Sequence, residues 1–109
     1  MNKLVLLVLC MFSLLLVSCG MTEDEFSTDY TKAACKKDAS CDETVDSATC
    51  YDQTKPWMDL AMDSCSGFDS DNAEKCVDCV KGLTCEQWAI YNDDEVEGEY
   101  CTSCDKVCD

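Results

Sequence analysis

Ten cysteines between Cys35 and Cys108 constrain this 109-residue chain more than any other feature. They are Cys35, Cys41, Cys50, Cys65, Cys76, Cys79, Cys85, Cys101, Cys104 and Cys108. An even number pairs without remainder, so five disulfides are expected in an oxidising compartment. Each closes a loop of the unfolded chain and stabilises by about 2–4 kcal/mol. The rest of the composition makes that help necessary. From Met21 on, Leu, Ile, Val and Phe together number only ten, and seven lysines stand against 23 acidic residues, a net charge of −16 with no Arg and no His. So few large aliphatics with so much charge normally leave a chain disordered. Covalent staples substitute for the core that such a chain cannot build. The pairing itself is not deducible, because ten cysteines admit about 945 arrangements.

The N-terminus supplies the oxidising address. Met1-Asn2-Lys3 carries one positive charge, and Leu4 to Val17 is an apolar run broken only by Ser13. That is the layout of an export signal. At ~1.5 Å rise per residue the run spans roughly 21 Å, short of a ~30 Å hydrocarbon core. The run ends in Leu16-Val17-Ser18-Cys19, followed by Gly20. These residues resemble the lipobox of bacterial lipoproteins. The resemblance implies a signal peptide over 1–18, cleavage before Cys19 and a lipid on the Cys19 thiol. It also implies outer-membrane sorting, because Gly20 stands where an aspartate would resemble inner-membrane retention. Two or three acyl chains at ~0.8 kcal/mol per buried CH₂ hold durably, where one chain would not. The alternative is free secretion, with Met21 first.

Residues 19–25 read as a lipidated acidic tether and residues 26–109 as one cysteine-rich domain. Thr22-x-x-Glu25 forms a capping box, and Phe26, Tyr30, Ala33 and Ala34 recur at helical spacing. A helix is therefore predicted from Glu23 to Lys37. Ser40-x-x-Glu43 is expected to cap a second, ending near Cys50. Pro56 suits the first turn of a third, with Trp57, Leu60, Ala61 and Cys65 at i, i+3, i+4 and i+8 and Gly67 just beyond as a stop. Asp71-x-x-Glu74 starts a fourth, ending at Gly82, and Thr84-x-x-Gln87 a fifth through Trp88, Ile90 and Tyr91. Asn92 to Glu99 is an acidic loop, and Cys101, Cys104 and Cys108 make one stripe of a short helix. No alternating strand pattern persists. The expected fold is all-α, a small disulfide-stapled bundle of about four to six short helices.

The body also resembles the small cysteine-rich helical domains found behind lipoboxes in exported bacterial proteins. The residues concerned are the cysteine near the end of the first helix and the run Phe68-Asp69-x-Asp71-x-Ala73-Glu74-x-Cys76 leading to Leu83-Thr84-Cys85. Such domains generally carry no assigned activity, so this resemblance implies no site.

Candidate chemistry is thin. Cys76-x-x-Cys79 and Cys101-x-x-Cys104 have zinc-ligand spacing, but an oxidising compartment and the lack of His favour disulfides. A redox CxxC needs an electropositive frame that this acidic chain lacks. Asp69-Ser70-Asp71-Asn72 resembles the opening of a calcium loop, yet Val80 stands where a bidentate Glu is required; helix capping by Asp71 explains it better. Asp93 to Glu99 is expected to be solvated rather than a calcium site. Asp59 and Asp63, one turn apart, read as a polar helix face. Trp57 and Trp88 are expected in the core or as partly buried anchors, one of them an alternative binding contact. Without His there is no Ser-His or Cys-His pair, and no Gly-rich phosphate loop occurs, so no enzyme, metal or cofactor is expected. A −16 body repels nucleic acid. The expectation is a lipid-anchored, non-enzymatic envelope protein presenting an acidic domain for binding, with a membrane held through Cys19 and a cationic protein as partner. The alternatives are a secreted cysteine-rich signal or inhibitor and a calcium or zinc binder.

Overall fold

The computed structural model describes residues 20–93, 95 and 99–108. The expected signal peptide, Cys19, and Asp94 and Val96 to Gly98 of the acidic loop lie outside them. Four α-helices follow in order: α1 Glu23–Cys41, α2 Ser47–Asp63, α3 Ser70–Gly82 and α4 Cys85–Tyr91. A short 3-10 helix, Thr102–Lys106, closes the chain, and no strand occurs among the described residues. The fold is the all-α, disulfide-stapled bundle that the cysteines and helical spacing predict. No helix among the described residues is long and apolar enough to cross a membrane.

The first helix begins where its sequence says it should. Thr22 Oγ1 accepts from the Glu25 backbone N–H at 3.2 Å, and Glu23, Asp24 and Glu25 fill the first turn. Acidic side chains are favourable at that positive helix end. Those three residues form the first turn from Glu23, as their spacing predicts, and Met21 already packs against the core. The helix continues a full turn past Lys37, because Ser40 turns its hydroxyl back onto the Lys37 carbonyl (2.9 Å) rather than capping a new helix.

The second and third expected helices are one. Asp46 supplies its N-cap, accepting from the Thr49 N–H at 3.0 Å and the Thr49 hydroxyl at 2.7 Å. Pro56 lies inside this α2. Proline cannot donate its backbone hydrogen bond and crowds the carbonyl four residues earlier. That carbonyl belongs to Asp52, an exposed residue whose backbone water can serve. No glycine or other stop lies between Cys50 and Pro56, so the helix runs through. A further correction concerns α3, whose cap is Asp69, not Asp71: its carboxylate accepts from the Asn72 N–H at 3.0 Å. Around α4 the full reciprocal box of Thr84 and Gln87 is present. The last three cysteines do not share one helix. Cys101 precedes the 3-10 turn in the left-handed region (φ 53°), and Cys108 follows it.

Long-range contacts give the layout. Ser27 pairs with Asp59 and Cys35 with Cys50, so α2 runs antiparallel to α1. Phe26 meets Phe68, while Lys37 reaches the carbonyls of Lys81 and Leu83, so α3 runs parallel to α1. The C-terminal segment returns along α3, bonding Cys79 to Cys101 and Cys76 to Cys104. The core lies between α1, α3, α4 and this segment: Phe26, Ala33, Ala73, Val77, Val80, Leu83, Trp88 and Val107. Trp88 donates from Nε1 to Asp38 at 2.6 Å, which satisfies its one polar atom in a buried place.

Candidate interaction surface

The five bridges are Cys35–Cys50, Cys41–Cys85, Cys65–Cys108, Cys76–Cys104 and Cys79–Cys101. No cysteine among the described residues is free. The two CxxC motifs are thus bound to each other, crosswise along α3. Their sulfurs sit in disulfides and not in a thiolate cluster. Among the described residues no three His, Cys, Asp or Glu side chains converge as a metal-binding group.

Helix α2 stands apart from the rest. None of its residues is buried; its main helix packing is on α1, and Met58 and Met62 on its inner side rest against the core. Two bridges hold it near its ends, Cys50 to α1 and Cys65, just beyond Asp63, to the C-terminal segment. Between them side chains also join α2 to its neighbour: Ser27, itself buried, donates its hydroxyl to Asp59 at 2.6 Å, and the Thr54 hydroxyl lies 4.0 Å from the Cys35 sulfur. Lys55 also donates to Asp59 one turn along the helix. These two donors, Lys55 first and then Ser27, hold the Asp59 carboxyl below its usual range, and Asp59 in turn raises Lys55. Asp59 is thus a tether between helices. Asp63, the last residue of α2, is exposed.

The outer side of α2 carries large apolar groups. Trp57 is 73% exposed and Leu60 is 59% exposed, one helical turn apart. This reverses the expected burial of Trp57. Trp57, Leu60 and Ala61 do form one face, but no layer among the described residues lies over it. Trp88, by contrast, is buried as expected, with 6% exposed.

Behind α2 lies an apolar crevice of about 260 Å³, which its Met58 and Met62 line together with Phe26, Tyr30, Tyr91 and Val107. Tyr30 and Tyr91 meet through their hydroxyls at 2.9 Å. Burial, reinforced by that hydrogen bond, pushes the Tyr30 phenol well above its ordinary range, so it stays neutral.

Two of the remaining acidic candidates, Asp69 and Asp93, make local structural contacts. Asp69 caps α3, and Asp93 accepts from the Glu95 N–H at 3.0 Å within the acidic loop. Asp42 forms a turn with Thr44, accepting from its N–H at 2.9 Å and its hydroxyl at 2.7 Å. Those donors hold the Asp42 carboxyl below its usual range, as Thr49 does for Asp46. Comparison with protein-family models, curated proteins and solved structures finds no match.

Proposed function

We propose that this chain is a lipid-anchored, non-enzymatic protein of the cell envelope that binds a cationic protein through α2. The observation that carries the proposal is a 17-residue helix with no buried residue, bridged near both ends and exposing Trp57 and Leu60. Scattered exposed apolar residues are ordinary on any surface. Here, however, the chain from Met21 has only ten Leu, Ile, Val and Phe residues, and one of them stands beside an exposed Trp. A rigid aromatic on a pinned helix needs little further ordering to bind, which lowers the entropic cost of association. The acidic surroundings favour a partner with a basic rim, and that attraction should weaken with salt.

The anchor follows from the lipobox resemblance. Three residues, Gly20 to Thr22, separate Cys19 from α1. At ~3.5 Å per residue they reach roughly 10–14 Å from the lipid. Antiparallel packing brings Trp57 and Leu60 back toward that same end of α1, so the partner would be met close to the membrane plane.

Two measurements test the parts separately. The mature protein should partition with detergent and carry the mass of a diacylglyceryl group on Cys19. An unmodified N-terminus at Met21 and recovery in the aqueous phase would replace the anchored reading with secretion. A photo-crosslinking residue at position 57 should trap a discrete, basic partner in intact cells, while the same probe at exposed Glu43 should not. Equal yields at the two positions would reject α2 as the binding element.

A further inference from the structure

The charge of this domain is not evenly spread. Four of the seven lysines beyond the leader, Lys32, Lys36, Lys37 and Lys81, line one concavity of about 550 Å³ between α1 and the end of α3. Ser40 and the small Ala33 also line it, with Asp29 as the one carboxylate among the described residues. Lys37 has a structural task, donating to the carbonyls of Lys81 and Leu83. Lys81 lies in the last turn of α3, where a cation complements the helix dipole. Lys32 and Lys36 have neither role: both are exposed, and both lie before the last turn of α1. The one ion pair found among the described residues is Lys55–Asp59, on another helix. In a body of net charge −16, three ammonium groups thus face one hollow without a bonded carboxylate.

We propose that this concavity binds a small molecule carrying two or more phosphate or carboxylate groups. Its volume falls within the ~300–1,000 Å³ usual for small-ligand sites. Ammonium groups act as point charges and accept either oxyanion, whereas a planar fork of arginine would select geometry. The size of the ligand follows from screening. At physiological salt the field of a surface charge fades over ~8 Å. An anion that stays within the lysine island feels attraction, while a long polyanion must also cross the surrounding carboxylates. This site is independent of the α2 reading, because its residues lie on α1 and α3.

Calorimetry with the mature, disulfide-intact protein tests it, using tripolyphosphate and citrate as probes at physiological ionic strength. Saturable binding of either is expected, and the preferred probe assigns phosphate or carboxylate chemistry. Joint Lys32→Gln, Lys36→Gln and Lys81→Gln substitution should weaken binding by about tenfold or more. Lys75→Gln with Lys106→Gln should leave it within about twofold. Lys37 is left unchanged because it holds the end of α3. In the unaltered protein, bound probe should protect Lys32 and Lys36 from acetylation, read by mass spectrometry, which needs no variant to fold. Three results would each overturn the proposal: no saturable binding of either probe, equal loss in both sets of variants, or tighter binding of heparin than of both small anions.

Discussion

Trp57 and Trp88 have the same side chain and opposite surroundings. Trp88 is enclosed by the core and bonded to Asp38, so Trp88→Ala should cost about 3–5 kcal/mol in denaturant unfolding. Trp57→Ala should stay within about 0.5 kcal/mol, since 73% of its surface remains in water in the folded protein. Equal losses would mean that α2 packs against something absent from this fold. Both residues lie at helical spacing from apolar neighbours, so the sequence shows the stripe in each case. Which stripe is covered depends on the number of layers above it, and no local pattern records that. Asp59 offers a second test at this scale. Its carboxyl is depressed by Lys55 and Ser27, so the stabilisation it gives is present above the ordinary aspartate value and is lost as pH falls through the lower folded value. An NMR titration should place its midpoint below about 3.9, and Ser27→Ala should move that midpoint upward.

At the scale of the element, capping chemistry was the most legible signal. Thr22 and Thr84 start helices where their side-chain oxygens predict, and Gly82 ends one. The misplaced boundaries have a common cause: chains rich in Asp, Ser and Thr offer several caps within a few residues. Asp46 prevails over Ser40, and Asp69 over Asp71, because tertiary contacts fix which turn is extended. Pro56 misleads for another reason. Proline suits a first turn, and only the absence of a stop before it marks α2 as continuous. An interior proline costs a helix about 3 kcal/mol, partly offset by the freedom it removes from the unfolded chain. Pro56→Ala should therefore stabilise the protein by about 1–3 kcal/mol, seen as a higher midpoint in urea. A decrease would show that native contacts of Pro56 outweigh that cost.

For the whole molecule, the cysteine count announced a stapled bundle but could not say which sulfurs meet. The pairs join residues 15 to 44 positions apart, and the CxxC motifs find each other only because the C-terminal segment folds back along α3. Peptide mapping without reduction should recover these five pairs, and reduction should add two hydrogens for each. The lysine hollow was hidden for the same reason. Lys32 and Lys36 are visible as one helical face, but Lys81 joins them through the parallel packing of α1 and α3. The spans of the bridges overlap, so every peptide bond from Cys35 to Cys108 lies under at least one of them. A protease that cuts once anywhere in that stretch leaves both fragments covalently joined, and the domain stays in one piece. Among the described residues, no bridge spans those before Cys35. In the anchored chain we propose, a single cut just after Cys19 would release the folded domain whole. One short stretch of backbone would then decide whether this protein stays on its membrane or is shed as a soluble, protease-resistant form.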